Sequence, residues 1–105
     1  MNVTLRQFRY FIAVADCASV SAAARQLNIS QSAITTAVQQ LEDDVGVRLF
    51  ERNSRGVVLT PDGHRFLSSA RRVIAAVADA THALRAQPNM LAGQLTIGVT
   101  PLVAG

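Results

Sequence analysis

Gln31, Ser32, Thr35, Thr36 and Gln39 lie in one short stretch, spaced so as to share the outer side of a helix, and none carries a charge. Short neutral side chains that both donate and accept hydrogen bonds suit the base edges of a DNA major groove. Gln31, Ser32 and Thr35 are the candidates for reading bases. Thr36 and Gln39, with Arg52 and Arg55 further along, are the candidates for phosphate or minor-groove contacts, which position a protein without specifying sequence. Glu42, Asp43 and Asp44 follow at the far end of the stretch and should point away from phosphate. Other chemistry is poorly supplied. His64 and His82 have no Cys, His or carboxylate neighbours at ligand spacing, so no metal site is expected. There is no phosphate-cradling glycine loop, Ser30 and Ser32 have no base to activate them, and an enzyme is not expected.

The elements that must hold these residues can be read from local signals. Ser30 is a suitable N-cap, because its hydroxyl can accept a backbone N–H from the first turn, and a further contact candidate. Gly46 is a suitable C-terminal stop, because glycine enters the left-handed region at least cost. Between them Ala33 or Ile34, Val38, Leu41 and Val45 form one apolar face at helical spacing. Ser19 to Leu27 reads as a shorter helix capped by Ser19 or Ser21, with Ala22, Ala23 and Ala24 permitting close approach. Asn28-Ile29-Ser30 is then a tight turn, with Asn28 left-handed and Ile29 in the core. Helix, tight turn and a second helix with polar residues at its start is the helix-turn-helix arrangement.

At this point the chain resembles a known family. Ala22-Ala23 before Leu27, Ser30-Gln31-Ser32-Ala33-Ile34-Thr35, Leu41-Glu42, Gly46-Val47, Leu49-Phe50-Glu51-Arg52 and Leu59-Thr60-Pro61-Asp62-Gly63 resemble, in order and spacing, the N-terminal domain of LysR-type transcriptional regulators. The resemblance runs from about Leu5 to Gly98. Position 36 departs from it: the family commonly has a basic residue where this chain has Thr36. The resemblance implies an interrupted inverted-repeat target in double-stranded DNA, assembly towards a tetramer, and a small-molecule inducer bound by a domain absent from this sequence. No cofactor is expected for the present chain.

Composition sets loose bounds. The chain has 105 residues, enough for one small domain and an appendage, and half of them are hydrophobic. Many of these are alanines, which favour close helix packing over a large sheet core. All the basic residues are arginine, ten against seven acids, for a net charge of +3. That excess permits polyanion binding without demanding it. One cysteine, Cys17, excludes an internal disulfide and fits a reducing, cytoplasmic setting, and the resemblance implies a bacterial one. Cys17 is expected to be a buried thiol. No secretory signal and no membrane span are visible.

Around this centre the remaining elements follow. Thr4 and Gln7 have capping-box spacing, and Leu5, Phe8, Phe11, Ile12 and Ala15 should be the apolar stripe of a first helix. Arg6, Arg9 and Tyr10 are left on or near its surface, where Arg6 could touch phosphate, a solvated arginine being the default reading. Val47 to Arg52 and Val57 to Thr60 are β-prone runs joined by Asn53-Ser54-Arg55-Gly56, which reads as a hairpin wing with Arg52 and Arg55 at its tip. An arginine there can meet the DNA backbone or enter a narrow minor groove. Thr60-Pro61-Asp62 opens a last helix. In it Phe66, Ala70, Val73, Val77, Ala80 and Leu84 alternate steps of four and three, a heptad seam widened by Leu67 and Ile74 and suited to a second copy of the chain, with the early part near Phe66 also expected to pack back on the domain. Gln87-Pro88-Asn89 ends that helix, and Leu95, Ile97 and Val99 alternate as in a strand.

The expected architecture is mainly α: a winged helix-turn-helix over residues 1–60, with three helices and a β-hairpin wing, then a long dimerising linker helix over 61–87. Residues 88–105 would be a hinge and the first strand of an effector-binding domain, which makes the chain an excised DNA-binding fragment of a dimeric regulator. The competing expectation is a winged-helix protein-interaction module, which the uncharged face of the Ser30–Val45 helix leaves open.

Overall fold

The computed structural model describes residues 3–86. The expected helix stop at Gln87-Pro88-Asn89 and the expected strand around Leu95 to Val99 lie outside them. The order of elements is α1 (Leu5–Cys17), α2 (Val20–Leu27), α3 (Gln31–Val45), β1 (Phe50–Asn53), β2 (Gly56–Leu59) and α4 (Pro61–Ala86).

Each of the first three helices starts on a local hydrogen bond. Thr4 Oγ1 accepts the Gln7 amide at 3.2 Å while Gln7 Oε1 accepts the Thr4 amide at 2.8 Å, a closed capping box. Ser19 accepts the Ala22 amide and Ser30 the Ala33 amide, both at 3.1 Å. The helix ends are left-handed: Ala18 with φ 53°, Asn28 with φ 58° and Gly46 with φ 79°. At Asn28 the backbone N–H turns back to the carbonyls of Ala24 and Arg25, and Ile29 donates to Ala24, closing the turn between α2 and α3.

Phe11, Val14, Ile34, Leu41 and Leu49 are the largest fully buried side chains. Phe11 stacks at a tilt on Phe50, with ring centroids 5.2 Å apart, and edge-on against Phe66 at 5.3 Å; Phe8 also meets Phe66 edge-on at 5.5 Å. Such tilted pairs are favoured by the ring quadrupole. Ala23 and Ala24 are buried, so α2 packs through its smallest side chains, against both α1 and α3.

β1 and β2 form an antiparallel hairpin in which Asn53 pairs with Gly56, leaving Ser54 and Arg55 as the turn. Asn53 Oδ1 accepts the Arg55 amide at 2.9 Å, as asparagine does in such turns. Gly56 is required here. Its φ is +138°, and a Cβ would stand 2.6 Å from the Ala18 carbonyl oxygen, which accepts the neighbouring Val57 amide. The hairpin therefore docks on the junction between α1 and α2.

Several expectations are corrected. β1 begins at Phe50 rather than Val47, because the opposite strand stops at Leu59. Thr60 next to it caps α4 instead, donating from Oγ1 to the Arg48 carbonyl at 2.7 Å and accepting the Gly63 amide at 2.9 Å. Leu5 is 40% exposed, and α1 buries Gln7, Ala13 and Val14 alongside Phe11; Gln7 is buried because its polar end is occupied by the capping box. On α3 the inward residue is Ile34, and Ala33 is exposed. Cys17 is half-buried rather than buried, with its thiol donating to Gln26 Oε1 at 3.2 Å. The compact unit extends through Ile74. Phe66 and Leu67 pack against the core and Ala70 is 1% exposed within it, so the first half of α4 completes this unit.

Candidate nucleic-acid interface

The buried residues of α3 are Ile34, Ala37, Val38 and Leu41. With those turned inward, the helical repeat leaves Ser32, Thr36 and Gln39 along the middle of the opposite side, with Gln31 and Thr35 beside them. All are exposed except Thr35, which is half-buried. The first turn of α3 has no acidic residue, and the helix has no cation from Gln31 to Val45. Its outer face is a row of neutral donors and acceptors at the positive end of a helix dipole.

Two openings flank this row. On the wing side Thr35 and Gln39 line a groove together with Glu42, Arg48 and Arg52. On the α1 side Ser30, Ser32 and Thr36 line a broader depression together with Arg6 and Tyr10. Gln31 lies in neither and is exposed at the start of the helix. The proposed contacts are therefore divided between two flanks of α3 that the linear sequence does not separate.

The wing arginines differ from expectation in one respect. Arg52 is not at the tip: it pairs with Val57, on the same face of the hairpin as buried Phe50 and Val57, and this places it in the groove beside α3. Arg55 alone occupies the turn. Neither makes a salt bridge among the described residues, where the ion pairs are Arg48 with Glu42, Arg65 with Asp62 and Arg71 with Asp16. Both positive charges are free to meet an anion.

Glu42 and Arg48 are the residues that sequence reasoning passed over, while Arg6 is readable there as a phosphate contact, with a solvated arginine as the default. The Glu42 carboxylate is only 14% exposed and accepts the amides of Leu49 and Phe50, fastening the end of α3 to the root of the wing. A signal was available: Glu42 stands four residues after Val38 and three before Val45, at the margin of the buried face. Arg48 carried no such signal, since Glu42 and Thr60, its neighbours in the fold, are remote in the chain.

Of the apolar residues assigned to a partner on α4, Ala70 has no surface left and Phe66 is half-buried against Phe8 and Phe11. They belong to the core because α4 closes the domain over α1. Val73 is 36% exposed, Val77 half-buried, Ala80 exposed and Leu84 79% exposed. Among the described residues no helix is long and apolar enough to cross a membrane, and no cluster of His, Cys, Asp and Glu could hold a metal ion.

Comparison with known proteins agrees with this geometry. Residues 5–64 match the family model described as the bacterial regulatory helix-turn-helix protein, lysR family. The chain is 47% identical over 93 residues to the HTH-type transcriptional regulator TfdS of Cupriavidus pinatubonensis (strain JMP 134 / LMG 1197), covering 89% of this chain and 32% of the relative. It is 58% identical over 69 residues to ClcR of Pseudomonas putida, covering 66% of this chain and 24% of that one. The chain thus spans between a quarter and a third of the length of these relatives. Its fold superposes on the crystal structure of the CbnR_DBD–DNA complex with a TM-score of 0.75 and 46% identity, over 79% of this chain and 95% of that one. With the family model matching more than half its length, and the helix-turn-helix and wing in place, the chain belongs to the LysR family of bacterial helix-turn-helix transcriptional regulators.

Proposed function

We propose that this chain binds double-stranded DNA in a sequence-specific manner, as the DNA-binding part of a transcriptional regulator. The observation that carries the reading is the uncharged hydrogen-bonding face of α3 set beside the unpaired arginines of the wing. α3 enters the major groove, where Gln31, Ser32 and Thr35 read base edges. Ser30, Thr36 and Gln39 sit at the margins of that contact. Arg52 meets phosphate beside the groove, and Arg55 at the wing tip meets the backbone or a narrowed minor groove. The CbnR neighbour is a complex with DNA, which supports the same placement.

The functional unit is a homodimer joined through the exposed stripe of α4, where Val73, Val77, Ala80 and Leu84 follow heptad spacing. Two copies related by a twofold axis read an interrupted inverted repeat. In the whole regulator, tetramer assembly and a small-molecule inducer belong to an effector-binding region, in the bacterial cytoplasm. A gel-shift against promoter DNA with excess nonspecific competitor tests the central point. A retarded band that survives the competitor is expected; its complete loss would favour the protein-interaction reading of the winged helix instead.

A further inference from the structure

The depression between α1 and α3 is lined by Arg6 and Tyr10 from one side and by Ser32, Thr36 and Gln40 from the other. Arg6 is exposed and forms no salt bridge among the described residues. It supplies a cation on the one flank of α3 that the wing does not reach, beside a helix that carries none of its own. Further along this flank Gln40 is joined by Asp43 and Asp44 in a separate, acidic opening. A polyanion crossing α3 is repelled there and favoured at the Arg6 end.

We propose that Arg6 holds a DNA phosphate in this depression and so fixes α3 in the groove from the side opposite the wing, a role that rests on the DNA-binding reading above. The row of neutral side chains on α3 then lies between two cationic flanks, Arg6 on one and Arg52 and Arg55 on the other. Ser32, Thr36 and Tyr10 line the same depression and offer hydroxyl donors to the same phosphate. Each phosphate neutralised by an arginine releases condensed counterions, and the contact acts on every sequence alike. Since Arg6 and Thr36 line one depression, a cation at position 36 can take over the phosphate that Arg6 holds. Thr36, where the family resemblance expects a basic residue, is then compensated from α1.

The test is a fluorescence-anisotropy titration of a labelled random-sequence duplex at several salt concentrations, with folding checked by circular dichroism. Arg6→Ala should weaken binding at low salt and make the slope of log affinity against log salt shallower by about 0.9 per bound chain. Arg6→Lys should keep the wild-type slope, and adding Thr36→Arg to Arg6→Ala should restore it. An Arg6→Ala slope equal to wild type overturns the assignment, as does a double variant no steeper than Arg6→Ala alone. A wild-type chain that binds no duplex overturns the DNA-binding reading and this one with it.

Discussion

Glu42 Oε2 accepts the backbone amide of Leu49 at 2.7 Å, across seven residues of chain that contain the turn out of α3. The same oxygen accepts the Phe50 amide at 3.2 Å. Two N–H groups at the root of the wing are satisfied by one carboxylate of α3. The angle between α3 and the wing is thereby set by a hydrogen-bonded joint as well as by apolar packing.

Removing that carboxylate should cost more than its ion pair suggests. Arg48 stands 3.9 Å from Glu42 with its own side chain 74% exposed, and a solvated cation at that distance contributes little. Unsatisfied, partly buried amides cost about 1–3 kcal/mol. Glu42→Ala should therefore lower the unfolding free energy by about 2 kcal/mol, while Arg48→Ala changes it by about 0.5 kcal/mol or less. Urea denaturation of the two variants separates the contributions, and equal losses would shift the weight to the ion pair.

Gly63 is fixed by close approach rather than by its backbone angle. A Cβ there would stand 2.1 Å from the Leu49 carbonyl oxygen and 2.9 Å from a Leu59 methyl. Backbone cannot retreat cheaply, and overpacking of this kind costs about 1–3 kcal/mol or more. Gly63→Ala should lower the thermal midpoint more than Gly46→Ala. At Gly46 nothing lies within 4 Å and the loss comes from a φ of +79° alone, worth about 1–2 kcal/mol. Calorimetry on both variants checks the order.

These two residues mark where the sequence stops being legible. The starts of α1, α2 and α3 follow from Thr4, Ser19 and Ser30, because a cap is a contact between residues three apart and its chemistry is visible in the chain. Asn28 and Gly46 announce the left-handed ends for the same reason. Glu42 reads as one of three solvated acids until the fold brings Leu49 back to it, and Gly63 reads as part of a helix start until Leu49 and Leu59 crowd it. The division of the candidate contacts into a wing flank and an α1 flank was equally invisible, since Arg6 and Thr36 meet only after α1 and α3 pack. The heptad pattern of α4 was visible, as was its return to the domain near Phe66, but spacing alone did not show that Ala70 lies in the same core and that exposure begins at Val73.

Ala18 offers the opposite sign. It closes α1 at φ 53° and ψ 29°, a conformation that costs a residue with a Cβ about 1 kcal/mol. Its carbonyl still accepts Val57, so the geometry is held by the hairpin. Ala18→Gly should relieve the strain and raise stability by about 0.5–1 kcal/mol, less whatever the more flexible unfolded chain takes back. A higher urea midpoint at unchanged slope is the expected result.

The α4 stripe is tested at Val77. An arginine there would be buried unpaired in each half of a dimer, at a cost of several kcal/mol. Val77→Arg should sediment as a monomer at concentrations where the wild-type chain is a dimer. Its helical spectrum should be nearly unchanged, since Val77 lies beyond the core-forming part of α4. A variant that remains dimeric places the interface elsewhere.

Arg55 and Gln31 should fail in different ways, because one is a charge at a hairpin turn and the other a neutral group at the start of α3. Arg55→Ala removes a free cation, so affinity should fall on all duplexes and the salt slope should flatten by about 0.9 per bound chain. If the guanidinium enters a narrowed minor groove, the loss should be greater on sites with A·T-rich flanks, where the groove is most negative. Gln31→Ala removes no charge. It should leave the salt slope intact, cost about 1–3 kcal/mol on the preferred site alone, and relax the choice of base at one position. Titrating both variants on a duplex selected from a randomised pool and on its scrambled counterpart distinguishes these outcomes. A uniform loss for Gln31→Ala would make that residue a backbone contact, and an unchanged slope for Arg55→Ala would take the wing tip out of the interface.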